Sequence, residues 1–436
     1  MSRADVSVLL ISWNTREETR RCLDSLAEGV TDGLRCEVIA VDNGSRDGSA
    51  DMLAGYPGVR LVRNERNVGF AEAVNQAYRR ATGRLILLLN SDVRFHKGAL
   101  TTMVAFLRDR PGAAGVSPLY LNPDGTFQQH YVALPSFAAS LALLTVLRHV
   151  PGFRRALHTF QMRGQDFSRP RLLASGSCML LRRNALAADH VFDERFPVYW
   201  NDAILARQLA AAGRKLWMIP DAVVTHERGA SCRLLGPTIR SRQLLGGLVR
   251  YLEATEPRYR LTVFRLVLLA DYVVKRVAGR PVQLGLGDLR AALRGDVGPL
   301  PDGDVRDWLV LFADASPRDV RRHPAVAAAT AENHRVLFVD PAGPRTRWRT
   351  EIRPAGPSVW HAAPPVALPL GHLLPPVNRL NQRIAAAALR RFLDRHAGAR
   401  TLRVDDRRAI AVIDRLGEDV VLAAGAPDSA PGRSDD

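Results

Sequence analysis

The first 120 residues alternate between two periods, and that alternation limits the fold more than any other feature of the chain. Short apolar runs stand at Val6–Ser12 (VSVLLIS), Glu37–Val41, Val59–Val62 and Leu85–Leu89, as strands covered on both faces require. Between them, Arg16–Leu26 spaces Thr19, Cys22, Leu23 and Leu26 along one helical face, and Phe70–Ala81 does the same with Phe70, Val74, Ala77 and Tyr78. Strands alternating with helices of this length imply βαβ units and a doubly wound α/β sheet, in which ligands sit at the carboxyl ends of the strands.

The chain is 436 residues long, more than one ordinary domain needs, and its 47% apolar content can fill several cores. An excess of 61 Lys and Arg over 44 Asp and Glu, a formal charge of +17, suits a polyanionic partner such as a nucleic acid, a phosphorylated substrate or an anionic membrane surface. Nucleic acid fits least, because the arginines are spread over the whole chain and no recognition motif or aromatic-interleaved basic strand appears. Cys22, Cys36, Cys178 and Cys232 form no C-x-x-C pair, so neither a zinc site nor a disulfide framework is signalled, and a reducing cytoplasm is expected. The start of the chain shows no signal-peptide pattern, and no stretch reaches the roughly 18 apolar residues that span a bilayer.

Polar residues gather where the predicted strands end. The first run closes with Ser12-Trp13-Asn14. The second closes with Asp42-Asn43-Gly44-Ser45, where a carboxylate at a βα turn can accept hydrogen bonds from a ribose or base edge, or simply make the turn. Arg63–Ala71, followed by Asn75, leads into a helix N-terminus whose amides could face an anion; Asn67 and Gly69 lie in that loop. The run Leu85–Leu89 ends in Asn90-Ser91-Asp92. A carboxylate there can hold a divalent ion that bridges to a departing diphosphate, or cap the next helix.

These stretches, VSVLLISWNTREETRRCLDSL, VIAVDNGSRDGSADML, VRNERNVGFAEAVNQA and LLLNSDVRF, together with Ala174–Leu186 (ASGSCMLLRRNAL), Phe192–His226 and Glu227–Ser231 (ERGAS), resemble in order and spacing the catalytic domain of family 2 glycosyltransferases. That family has the GT-A fold, and the likeness is closest to a rhamnosyltransferase-like subgroup that extends lipid-linked or cell-envelope glycans. The resemblance covers about residues 5 to 235. It implies nucleotide contacts at Asn14, Asp42, Asn67, Gly69 and Asn75, a Mg²⁺ or Mn²⁺ site at Asp92 and His226, an acceptor side at Gly176, Ser177 and Trp200, and a catalytic base at Asp202. It further implies a nucleotide-diphosphate sugar as donor, with dTDP-rhamnose as the subgroup's example, and a cytoplasmic enzyme peripheral to the inner face of the plasma membrane. The chain departs from the family pattern at Asn90, where a D-x-D motif has its first acid, and at Asn201 and Ile204, where acids flank the base. Those losses leave open a degenerate nucleotide-sugar-binding protein. A nucleotidyltransferase would need a Gly-rich triphosphate loop after the first strand, and Ile11–Thr15 has none.

Beyond the catalytic stretch (1–235), residues 236–280 are expected to form a basic amphipathic helical region. From Arg233 to Arg265 seven arginines face only Glu253 and Glu256. In Leu261–Val277 the charges occupy about half the circumference and leave a broad apolar arc. That periodicity fits both a helix lying at a membrane interface and a helix packed on the catalytic domain. Residues 281–304, rich in Gly, Pro, Arg and Asp, are expected as a linker. Residues 305–423 carry two further strands, Trp308–Phe312 and Arg335–Val339, flanking a helix, and with Pro364–Leu370 they resemble the opening of a GT-B N-terminal lobe. Residues 424–436 are expected to be a disordered tail.

Overall fold

The computed structural model describes residues 4–301, apart from 31–32, 129–132, 162–166, 168–169, 171–174, 228, 279–281 and 283, and beyond 301 the strands given below with positions 326, 387 and 389. The chain forms two compact units: one of residues 1–232 with 237–304, the other of 233–236 with 305–436.

In chain order the elements are β1 (Val6–Ser12), α1 (Arg16–Gly29), β2 (Cys36–Asp42), α2 (Ser49–Ala54), β3 (Val59–Arg63), α3 (Phe70–Tyr78), β4 (Leu85–Asn90), β5 (Val93–Phe95), α4 (Ala99–Asp109) and β6 (Ala113–Leu121). There follow α5 (Phe137–Leu144), a 3₁₀ turn (Val146–His149), α6 (Pro151–Gln161), β7 (Cys178–Arg182), α7 (Asn201–Ala211), β8 (Lys215–His226), α8 (Ala230–Arg233), α9 (Pro237–Thr255), α10 (Arg258–Val277) and α11 (Leu286–Leu293). Eight strands make one mixed sheet in the order β3-β2-β1-β4-β7-β6-β8-β5. β1 is central and parallel to β2 and β4, while β7 and β5 run antiparallel to their neighbours.

Every residue of β1 is buried, and alternate residues feed two cores. Val8, Leu10, Ala40, Leu87 and Leu89 pack towards α1 and α4, whereas Leu9, Ile11, Ile39, Ile86 and Leu88 pack towards α3, α7 and α9. At about 1.5–3 kcal/mol for each large apolar side chain buried, these two layers hold the sheet between helices and its polar strand ends in register. Register then sets the functional rim. Ser12 pairs with Asp42 and Ile11 with Asn90, so the carboxyl ends of β2, β1 and β4 stand side by side.

The stretch expected as a linker belongs to the first unit, and its described run, 284–301, carries the helix α11. Its Leu284, Leu289, Ala292 and Leu293 enter the core against α9, and Asp288 and Asp296 both pair with Arg242. Its Gly, Arg and Asp residues cap and bridge a short helix, a composition that reads as loop in one dimension. The basic helices α9 and α10 likewise belong to this unit rather than standing apart.

The second unit holds a six-stranded sheet in the order β11-β12-β10-β9-β13-β14, with β9 (Trp308–Phe312), β10 (Arg335–Val339), β11 (Glu351–Gly356), β12 (Val359–Ala363), β13 (Arg400–Val404) and β14 (Val420–Leu422). It is parallel except for β11. Of the helix expected between its first two strands only Val326 is described, as helical and buried; the stretch Pro364–Leu370 and the tail from 424 lie outside the described residues.

Candidate active site

Buried polar groups nearly always find partners, so the few that do not are informative. Among the described residues, six buried side-chain atoms have no hydrogen-bond partner, and four of them lie at or just past the carboxyl ends of β1, β2, β4 and β8: Trp13 Nε1, Asp42 Oδ1, Asn90 Oδ1 and His226 Nε2. One rim of the sheet therefore holds a donor and three acceptors whose partners are not supplied by the fold.

At the β2 end, the Ser45 amide donates to Asp42 Oδ2 at 3.0 Å while Oδ1 stays bare. Burial pushes the Asp42 carboxyl up from its ordinary value, against the pull of the Ser45 hydroxyl and amide. Asn14, with a left-handed φ of 49°, ties the two turns together. Its amide donates to Ser45 Oγ, and its Oδ1 accepts from the Arg46 amide. Asn14 thus shapes the pocket around Asp42.

Asp92 lies where the chain reverses between β4 and β5, and the pairing of Val93 with His226 sets it beside the histidine. Asp92 Oδ1 is 3.3 Å from His226 Nε2, and Asp92 Oδ2 accepts from the Ala230 amide at 3.1 Å. Burial raises the Asp92 pKa and the Ala230 amide pulls it down; a hydrogen on His226 Nε2, donated to Oδ1, would hold the carboxyl below its ordinary value. Gln128 decides which imidazole nitrogen is bare. Its Nε2 donates to the His226 and Asn122 oxygens, so its Oε1 accepts from Nδ1 at 2.7 Å. Nδ1 then carries the proton, and in the neutral ring Nε2 presents a lone pair towards a carboxylate. Two acceptors facing each other at that distance fit a bridging cation; the carboxylate oxygen suits Mg²⁺ or Mn²⁺, and of these two the imidazole nitrogen favours Mn²⁺. No cluster of three or more His, Cys, Asp or Glu occurs among the described residues. A two-ligand site leaves positions for diphosphate oxygens and water. Beneath it, Ser91 Oγ is held by Thr15 in a buried hydroxyl chain with Ser12 and Thr19, so the middle residue of the Asn90-Ser91-Asp92 turn is scaffold.

On the other flank the Asn90 amide donates to the Ser177 carbonyl at 2.8 Å, joining β4 to the Gly176-Ser177 turn. A side chain at Gly176 would stand 3.5 Å from Asp202 Cβ, so this turn lies against the candidate base. Burial raises the Asp202 pKa, countered by the Ala203 and Gly176 amides, which makes the carboxylate a stronger base. The residues around it explain two departures from the family pattern. Asn201 locks the turn, its Oδ1 accepting from the Asp202 amide and its Nδ2 donating to the Val198 carbonyl, and Ile204 is a core residue.

Four residues expected to touch ligands have structural partners. Asn75 is fully buried and saturated: Nδ2 donates to the Phe192 carbonyl and Glu194, and Oδ1 accepts the Val191 and Phe192 amides. It fastens α3 to the 191–197 loop and has nothing left for a nucleotide. The α3 N-terminus, expected to meet an anion, is closed by the Pro197 carbonyl, which accepts from the Phe70 and Ala71 amides. Gly69 stands there at φ 95° because any Cβ would come within 2.9 Å of Pro197. Trp200, left-handed at φ 72°, donates its indole N–H to the Leu244 carbonyl and packs on Tyr251 and Gly247. Its strain positions Asp202 one step into α7. Asn67 belongs to the same scaffold through Asn43 and the Gly69 amide. Sequence reasoning missed Gln128, whose role depends on a contact 98 residues away, and Asn43, which staples β2 to the 64–69 loop.

Residues 7–188 match the model of the family described as Glycosyl transferase family 2. The chain carries a domain of that family, and it is a glycosyltransferase; its eight-stranded mixed α/β sheet agrees with the GT-A fold. Among similar proteins is the N-acetylglucosaminyl-diphospho-decaprenol L-rhamnosyltransferase of Mycobacterium tuberculosis, 28% identical over 237 residues that cover 51% of this chain and 76% of the relative. Another is the putative teichuronic acid biosynthesis glycosyltransferase TuaG of Bacillus subtilis, 31% identical over 135 residues, 30% of this chain and 53% of that one. Among solved structures, the mannosyltransferase PcManGT of Pyrobaculum calidifontis, in complex with GDP-Man and Mn²⁺, aligns over 68% of this chain and 80% of its own at 19% identity and a TM-score of 0.42.

Proposed function

We propose that this glycosyltransferase inverts the anomeric centre as it moves a sugar, L-rhamnose from dTDP-rhamnose in the first instance, from a nucleotide diphosphate to a lipid-linked or cell-envelope glycan. The observation that carries the reading is the rim of unpartnered acceptors at Asp42, Asn90 and His226, joined through Ser177 and Gly176 to a carboxylate with a raised pKa. The similarity to a rhamnosyltransferase acting on a diphospho-decaprenol acceptor supports the choice of donor and acceptor class.

In this mechanism Asp42 Oδ1 accepts from the nucleoside. Asp92 and His226 would hold Mg²⁺ or Mn²⁺, which when bound supplies positive charge to the departing diphosphate. Asp202 takes the proton of the acceptor hydroxyl as that oxygen bonds to the anomeric carbon from the face opposite the breaking bond to the diphosphate. Asn90 offers a neutral carbonyl where the family pattern has an acid, so the metal should bind weakly until the diphosphate arrives. For the second unit we propose an acceptor or partner surface without transferase activity.

Nucleotide release from dTDP-, UDP- and GDP-sugars, measured with Mg²⁺, Mn²⁺ or EDTA and membrane lipid extract, tests this reading. Metal-dependent release of one nucleotide that Asp202→Asn abolishes supports it. Nucleotide binding without release from any donor favours a degenerate binding protein.

A further inference from the structure

Helix α10 turns part of its charge towards the protein and leaves aliphatic side chains outside. Arg265 donates to the Leu293 carbonyl and pairs with Glu253, and Asp271 accepts from the Val146 amide and pairs with Lys275, while Arg258, Arg260 and Arg276 are exposed. Leu261, Phe264 and Leu268 fill the rest of that inner face. The solvent face is largely apolar and interrupted by Thr262: Tyr259, Val263, Leu266, Leu269, Val273, Val274 and Val277 are all exposed, Val277 at 85%. Of the ten exposed large hydrophobic side chains among the described residues, these are seven, and Val146 and Val150, on and beside the 3₁₀ turn bonded to Asp271, are two more. A soluble surface scatters such side chains; a contiguous stripe marks an interface.

We propose that this face of α10, with Val146 and Val150, docks the protein onto an anionic bilayer. The charge around the stripe selects that occupant. Exposed Arg258 and Arg276 stand at its two ends, exposed Arg148, Arg154 and Arg155 lie on the adjoining segment, and neither residues 146–161 nor the exposed face of α10 carries an Asp or Glu. An aliphatic stripe with a purely cationic margin fits lipid chains beneath anionic headgroups. A second copy would set arginine against arginine with no acid to pair them. No helix among the described residues is long and apolar enough to cross a membrane, so the contact is one of lying on the surface. α9, which pairs with α10 through Glu253, also holds Trp200 beside the candidate base, so docking would orient that side of the site to lipid-borne acceptors. The inference extends the lipid-linked-acceptor reading, but it is tested without any sugar donor.

The full chain is sedimented with vesicles of phosphatidylcholine alone and with about one third phosphatidylglycerol. It should pellet with the anionic vesicles. Leu266→Glu with Val274→Glu should weaken binding about tenfold or more, and Arg258→Glu with Arg276→Glu should weaken it to a similar degree at low salt. All four side chains are exposed, so thermal unfolding should be unchanged. Failure to bind either vesicle, or binding indifferent to both double variants, overturns the proposal. So does a dimer in sedimentation velocity that Leu266→Glu with Val274→Glu dissolves while no vesicle is bound. None of these outcomes bears on nucleotide release.

Discussion

The segment from Asn64 to Asn75 with Asn43, which staples it to β2, and the rim of strand ends from Trp13 to His226 both carry polar side chains at least partly buried, yet they treat hydrogen bonds oppositely. In the first, Asn43, Asn67 and Asn75 are tied to backbone and to each other. In the second, Asp42, Asn90 and His226 each keep one acceptor bare. A saturated polar group fixes the fold, because removing it strands its partners. An unsaturated one costs stability until a ligand arrives, and is therefore retained for binding or chemistry.

Variants can sharpen that contrast. The largest effect should come from Asp202→Asn, with nucleotide release reduced by about 10²–10⁴-fold while the nucleotide is still bound, as read by equilibrium dialysis. Next, Asn75→Ala should leave the Val191 and Phe192 amides unpartnered in the interior. It should lower unfolding free energy in urea by about 3 kcal/mol or more, with nucleotide affinity of the folded protein unchanged. A weakened affinity at full stability would instead return Asn75 to the binding residues. Asp42→Asn should do the reverse and weaken nucleotide binding by about tenfold or more without loss of stability, because the buried carboxylate charge it removes is one that the fold already disfavours.

How much of this was legible in one dimension follows from the range of the interactions. The strands β1, β2, β3 and β4 and the helices α1 and α3 declare themselves through local periodicity, and Asp42, Asp92 and Asp202 through position at strand ends or a family motif. Asn75 and Gly69 could not be sorted from ligand contacts, because their partners lie in the 191–197 loop more than a hundred residues away. The orientation of α10 was equally hidden. Periodicity shows that a helix has two faces, and only the packing of Arg265 and Asp271 shows which one meets water. Residues 281–304 failed for a third reason: a short helix whose aspartates bridge to Arg242 has the composition of a loop.

The smallest expected effect separates cost from function at a single residue. Burial raises the folded pKa of Asp202, so around that range the folded protein holds a proton that the unfolded chain has released. Stability of the wild type should then fall as pH rises from the unfolded value through the raised folded value, and stay level above it. Asp202→Asn has no such group. The melting temperature of the variant should exceed that of the wild type at neutral pH, and the gap should close as pH falls through the same window, as thermal melts across the acid range would show. Nucleotide release by the wild type should move the other way, declining on acidification as the base is protonated, with a midpoint above that of an ordinary aspartate. A gap that ignores pH would mean that the buried charge is not what Asp202 costs the fold. A closing gap together with a declining rate would show that the raised pKa that suits the base for proton transfer is also what makes it expensive to bury.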